Sequence, residues 1–138
     1  MAVKPILLDT NAYIAFKRNR TQAIEVIRNV RIIGINTIII GELLGGLMVG
    51  SKSDFNRQQL QQFLDSPRVK IFSIDQQTAE YYALIYSQLR KKGRPIPTND
   101  MWIAATAMQH DLSLFSYDDD FKPIDGLKQG QSLIDFMD

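Results

Sequence analysis

Pro5-Ile6-Leu7-Leu8-Asp9-Thr10-Asn11 is the stretch on which the fold turns. An unbroken apolar run, opened by a proline and closed by a carboxylate, reads as a short strand buried on both faces. Such strands belong to parallel sheets, whose crossover helices cover both sides. The downstream sequence supplies those crossovers. Thr10 or Asn11 is placed to cap a helical turn over residues 12–16, and Thr21 a helix over 21–30 with Ile24, Ile27 and Val30 in phase. Residues 31–35 read as a second strand. Asn36 or Thr37 then opens a very apolar helix that carries Gly41, Gly45 and Gly46, each costing a helix about 1 kcal/mol against alanine. Beyond it come an amphipathic helix over 54–64, with Phe55, Leu60, Phe63 and Leu64 as apolar positions, and a third strand over 69–74. Asp75 caps a long helix to Lys92, which Gly93 stops. Thr98 or Asn99 caps a helix over 100–110, and a fourth strand follows over 112–115. Leu133-Ile134-Asp135-Phe136 is expected to add a short fifth strand or a partner-binding segment.

Strands and helices alternate throughout, which predicts an α/β fold with a mostly parallel sheet of four or five strands, folded as a single domain over 1–138. In such sheets the functional crevice lies beyond the carboxyl ends of the strands. Composition narrows the chemistry. Among 138 residues there is no cysteine and one histidine, which excludes disulfides, thiolate zinc sites, cysteine nucleophiles and histidine-rich metal sites. A hydrophobic share of 45% and a charged share of 22% are those of a folded globular chain. No apolar run reaches the roughly 18 residues of a membrane span, and the N-terminus lacks a signal-peptide layout, so a soluble, cytoplasmic protein is expected. The net charge of +1 conceals an asymmetry: residues 1–70 hold 10 basic and 5 acidic side chains, residues 71–138 hold 6 and 10. Two basic clusters, Lys17-Arg18-Arg20 with Arg28 and Arg31, and Arg90-Lys91-Lys92-Arg94, fit either solvated helix faces or a polyanion surface.

Four acids draw attention by position. Asp9 ends one apolar strand and Asp118 lies just past another, so both fall at the same sheet edge. Asp100 sits in the first turn of a helix, and Glu42 lies in a segment almost free of other polar side chains. Each has a plainer role available: strand-end caps for Asp9 and Asp118, a helix cap for Asp100, an ion pair with a residue such as Arg31 for Glu42. Asp119, Asp120 and Asp125 read as turn acids, and Trp102, Tyr117 and His110 as packing or surface residues. Gathered without a matching cation, the four carboxylates repel one another, and a hard divalent ion such as Mg²⁺ or Mn²⁺ relieves that repulsion through oxygen ligands. Thr10, Asn11 and Ser116 carry groups suited to orienting a carboxylate or a water.

These same residues carry a resemblance. Ile6-Leu7-Leu8-Asp9-Thr10-Asn11, Glu42 within Ile40-Gly41-Glu42-Leu43, Asp100-Met101-Trp102-Ile103-Ala104-Ala105, and Leu114-Phe115-Ser116-Tyr117-Asp118-Asp119-Asp120-Phe121 resemble, in order, the four acidic motifs of PIN-domain ribonucleases. Within that family the pattern is most similar to the VapC toxins of bacterial VapBC toxin–antitoxin pairs. Ser116 stands where threonine is common, and the glycines around Glu42 are richer than usual. The resemblance implies a three-layer α/β/α PIN-like domain and a Mg²⁺- or Mn²⁺-dependent endoribonuclease acting on tRNA or rRNA. Asp9, Glu42, Asp100 and Asp118 would be its catalytic and metal-binding residues. It further implies a VapB-like antitoxin, a homodimer, and operator DNA bound only through the antitoxin.

Other readings compete. A haloacid-dehalogenase-like phosphatase needs a second aspartate where Asn11 stands, a receiver domain has no use for the helix that follows Asp100, and no GxGxxG follows the first strand. DNA hydrolysis by the same acids, and a catalytically inactive PIN-like RNA- or protein-binding module, both remain compatible with the residues.

Overall fold

The computed structural model describes residues 2–138. Its elements run β1 (Ile6–Leu8), α1 (Thr10–Lys17), α2 (Thr21–Asn29), β2 (Ile33–Asn36), α3 (Thr37–Met48), α4 (Ser53–Leu64), β3 (Val69–Phe72), α5 (Gln76–Lys92), α6 (Thr98–Gln109), β4 (Ser113–Phe115) and β5 (Gln129–Gly130). Short 3₁₀ turns follow at Asp119–Phe121 and Leu133–Phe136. The five strands form one sheet of order β3-β2-β1-β4-β5, every pair parallel, and the helices pack on it as a three-layer α/β/α arrangement. β1 lies at the centre, with Ile6 opposite both Ile33 and Ser113 and Leu8 opposite Phe115. Ile6, Leu7 and Leu8 are fully buried, as a strand covered on both faces requires.

From β1 the chain builds outward through β2 and β3 on one side and through β4 and β5 on the other. The carboxyl ends of β1 and β4 therefore flank the point where the strand order reverses, and Asp9 and Ser116 follow directly from them. Two devices fix the helices there. Asn36, fully buried at the end of β2, accepts from the Ile39 N–H at 2.8 Å and so caps α3. Its Nδ2 donates to Thr106 Oγ1 at 2.9 Å, tying the start of α3 to the middle of α6. At the far end, Arg68 donates to the carbonyls of Ile27 and Val30 and closes α2.

Several local expectations need correction. The cap of α1 is Asp9 rather than Thr10 or Asn11: Asp9 is extended and its carboxylate accepts the Thr10 N–H at 2.8 Å. Thr21 is the first residue of α2, with Arg20 at the cap position, and α6 begins at Thr98 after Pro97, neither helix having a side-chain cap. Phe55 is 59% exposed, because it lies five residues, about 140° of helical rotation, from the buried Leu60 of α4. The fifth strand is Gln129–Gly130, whereas Leu133–Phe136 winds into a turn held by reciprocal Ser132 and Asp135 hydrogen bonds. Gly130 makes that turn possible, since a Cβ there would stand 2.6 Å from Asp135 Cβ and 2.9 Å from the Phe136 ring. Asp75 and Gly93 bound α5 as expected, Gly93 with φ of 65°.

Candidate metal centre and active groove

Asp9 is only 4% exposed, yet its carboxylate is fully engaged. Oδ1 accepts from the Thr10 N–H; Oδ2 accepts from Ser116 Oγ at 2.7 Å and from Asn11 Nδ2 at 3.4 Å. Ser116 Oγ also accepts from Asn11 Nδ2 at 3.2 Å and from the Asp118 N–H at 3.1 Å, so one buried hydroxyl links the ends of β1 and β4. Asn11 Oδ1 completes the link by accepting the Tyr117 N–H at 3.0 Å. Behind the loop, Gln129 Nε2 donates to the Asp118 carbonyl at 2.8 Å, so β5 braces the segment that carries Asp118.

Glu42 projects from α3 and accepts on both oxygens, from Thr10 Oγ1 at 2.6 Å and from Asn99 Nδ2 at 3.3 Å. Its partners are thus neutral; Arg31 is not among them. Asp100, in the first turn of α6, faces Asp118, and carboxylate oxygens of Asp100, Asp118 and Asp120 lie within 4.8 Å of one another. Asp118 Oδ1 accepts the Asp120 N–H at 2.9 Å, which fixes the turn that brings the third acid in.

Asp9, Thr10, Asn11, Glu42, Asp100 and Asp118 line one open groove of about 460 Å³, and no lysine or arginine lines it with them. The electrostatic consequence falls on Asp100. Burial, then the charges of Asp118, Asp9, Asp120 and Glu42, push its carboxyl up to about 7. Burial also raises Asp9, against the hydrogen bonds from Ser116 and Thr10 that favour its ionised form. An all-oxygen donor set with this uncompensated negative charge fits a hard divalent cation. Asp100, Asp118 and Asp120 bring donor oxygens close enough to share one ion, and Asp9 and Glu42 line the groove together with Asp100 and Asp118.

The groove thus brings together all four acids singled out by the sequence, and the polar residues Thr10, Asn11 and Ser116 each bond to one of them. Two further residues reach these acids, Asp120, which reads in sequence as a turn acid, and Asn99, which reads as a helix cap. The spacing Asp118-x-Asp120 after a strand was the available signal for the first; nothing in the sequence pointed to the second. His110 caps α6 and stacks on Phe72 at 4.1 Å, and Trp102 stacks on Tyr82 at 4.1 Å, as packing roles require.

The profile of the PIN domain matches residues 6–127, a span that holds every groove residue. Ribonuclease VapC4 of Mycobacterium tuberculosis is 32% identical over 88 residues, 64% of this chain and 68% of that protein. The chain belongs to the PIN-domain family, in its VapC branch. Ribonuclease VapC5 of the same organism is 29% identical over 120 residues, 87% of each chain. Among solved structures, VapBC2 of Rickettsia felis, bound to a DNA fragment from its promoter, superposes with a TM-score of 0.79 at 26% identity, covering 91% of this chain and 97% of that one. As a PIN domain, the protein places its acids where the family fold reverses strand order, and its departures at Ser116 and the α3 glycines leave that placement intact: Ser116 supplies the hydroxyl, and α3 is helical through all three glycines.

Proposed function

We propose that the protein is a divalent-metal-dependent endoribonuclease acting on structured RNA, tRNA or rRNA, and the toxin of a toxin–antitoxin pair. One observation carries the reading: acids from β1, α3, α6 and the loop after β4 converge on one groove without a cationic side chain. Asp100, Asp118 and Asp120 would hold a Mg²⁺ or Mn²⁺ ion, with Asp9 and Glu42 beside it. Such an ion supplies charge to polarise a phosphate oxygen and makes water a stronger nucleophile at neutral pH.

The chain's own residues prepare for this. Ser116 and the Thr10 N–H hold the Asp9 carboxylate in one orientation, and their hydrogen bonds oppose the upward push of burial. Thr10 and Asn99 fix Glu42 by both oxygens. Asp100, its carboxyl pushed up to about 7 by burial and by its acidic neighbours, would bind a cation in competition with a proton. The names of VapC4 and VapC5 as ribonucleases, and the VapBC complexes among the structural relatives, support an RNA substrate and a VapB-like antitoxin as partner. A homodimer, and operator DNA reached only through that antitoxin, complete the proposal.

The test is cleavage of total tRNA and rRNA by purified, antitoxin-free protein in Mg²⁺, Mn²⁺ or excess EDTA, beside a folded Asp9→Asn/Asp100→Asn variant. Discrete products that need metal and vanish in the variant are expected. Cleavage of equal strength in the variant or in EDTA would refute the assignment, and a folded wild type inert under every condition would favour a binding-only PIN domain.

A further inference from the structure

Next to the acidic groove lies a second recess of about 380 Å³, lined by Asn11, Ile14, Ala15, Arg18, Arg20 and Tyr117. Asn11 and Ile14 line both, so the two adjoin, yet the charge changes sign between them. Asn11, Ile14, Ala15 and Arg18 are spaced along one face of α1. Arg20 lies past the end of that helix and is returned to it by a tight C-terminal turn. Asn19 adopts φ of 61°, its N–H donates to the Phe16 carbonyl, and the Arg20 N–H donates to the Ala15 carbonyl, both at 3.0 Å. Complementing the negative end of α1 needs only Lys17 in its last turn, so Arg20 is surplus to that purpose.

Neither Arg18 nor Arg20 forms an ion pair among the described residues, whereas Lys92 of the other basic cluster is engaged by Asp125 at 2.6 Å and Lys17 donates to Gln59 at 2.8 Å. The half-buried Tyr117 lines the same recess. Its ring meets Phe115 edge-on at 5.6 Å, and its backbone N–H is held by Asn11, the residue that also donates to Asp9.

A ligand that fills both recesses presents one anionic group to the cation-ready acids and a second to a pair of guanidiniums, with a flat apolar surface between them against an aromatic ring. A single nucleic-acid strand has that alternation of phosphate and base. We propose that the Arg18–Arg20–Tyr117 recess is a nucleotide subsite, in which the phosphate flanking the scissile one lies between the two guanidiniums and the adjoining base rests on Tyr117. This rests on the ribonuclease reading of the groove, deepening it to a stretch of unpaired strand beside the cut.

The test separates the two. Asp100→Asn protein is titrated, in Mg²⁺ and over a series of KCl concentrations, against a fluorescein-labelled single-stranded RNA of about eight uridines, with anisotropy as readout. In that background Arg18→Gln/Arg20→Gln weakens binding about tenfold and flattens the log–log salt slope by about 0.7, the value for one single-strand phosphate. Tyr117→Leu weakens binding about tenfold with the slope unchanged, and Tyr117→Trp restores it. Arg28→Gln/Arg31→Gln, which removes the same charge from exposed residues outside both recesses, alters neither. An Arg18→Gln/Arg20→Gln variant indistinguishable from that control overturns the subsite, even if the wild type cleaves RNA. Displacement of the RNA by an aspartate-rich peptide at equal concentration, dependent on Arg18 and Arg20, overturns it in favour of an acidic protein segment. Arginine-dependent RNA binding by a wild type that never cleaves supports the subsite while refuting the nuclease.

Discussion

Removing a carboxylate from the groove is expected to stabilise the metal-free protein, and Asp100→Asn is the sharpest case. Asp100 is pushed from the ordinary 3.8 to about 7, so the folded protein holds a proton that the unfolded chain has released between those two values. Wild-type stability therefore falls as pH rises from about 4 through about 7 and is flat above. Taken whole, a shift of that size corresponds to roughly 4 kcal/mol. The residue is only partly buried, and screening reduces the cost to about 1–2 kcal/mol. Asparagine keeps the shape and never ionises. In EDTA at pH 8, Asp100→Asn should melt about 3–8 °C above wild type, and the gap should close by pH 4. Added Mg²⁺ should invert the order, because it stabilises the chain that binds it. Urea and thermal melts at pH 4, 6 and 8, with EDTA or Mg²⁺, decide the matter. A variant less stable than wild type at pH 8 in EDTA, or a gap independent of pH, would falsify the picture of an electrostatically strained groove.

The same proton appears in metal binding: Mg²⁺ affinity should climb up to about tenfold per pH unit approaching pH 7 and level off above, with proton release seen as buffer-dependent heat in calorimetry. Ser116→Ala removes the hydroxyl that serves Asp9, Asn11 and Asp118, so metal-dependent cleavage should drop about 10–100-fold and urea stability by about 1–3 kcal/mol; unchanged cleavage would show that Asp9 needs no such orientation. Gly130→Ala should cost about 1–3 kcal/mol through its collision with Asp135 and Phe136, whereas Gly45→Ala on α3, where a Cβ meets nothing within 4 Å, should gain about 1 kcal/mol in the same denaturation assay.

The sheet was legible because its strands are buried on both faces. Ile6-Leu7-Leu8 and Leu114-Phe115 are continuous apolar runs that only a covered parallel sheet accommodates, and the acids that end them fell where the strand order reverses. Helix caps were less legible, because a polar residue near a helix start competes with its neighbours for one position. Asp9 took the cap from Thr10, and in doing so turned its carboxylate toward Ser116, a residue 107 positions away that no local pattern names. The fifth strand failed for a similar reason: apolar content at Leu133–Phe136 suggested extension, but the Ser132–Asp135 bonds offered the backbone a turn instead. Asp120 escaped because an acid in a solvent-facing turn and an acid turned toward other carboxylates look alike until the turn's direction is fixed by Asp118.

The glycines of α3 have the opposite logic from glycines of necessity. Gly41, Gly45 and Gly46 line the groove, and a Cβ at any of them would stand in open space. Packing within the chain does not require them, and they weaken a helix that must hold Glu42 in register. The Asn36 cap and the Asn36–Thr106 bond offset that weakness at the end nearest Glu42, fixing α3 against the helix that carries Asp100. What the glycines leave is a helix face with no side chain beside that of Glu42 at positions 41, 45 and 46, against which the RNA of the proposed function would lay its backbone while bringing a phosphate to the acids. On that account Gly45→Ala, though it stabilises the fold, should raise the KM for RNA with kcat little changed. A stabilised variant with wild-type KM would mean that the bare face serves something other than substrate approach.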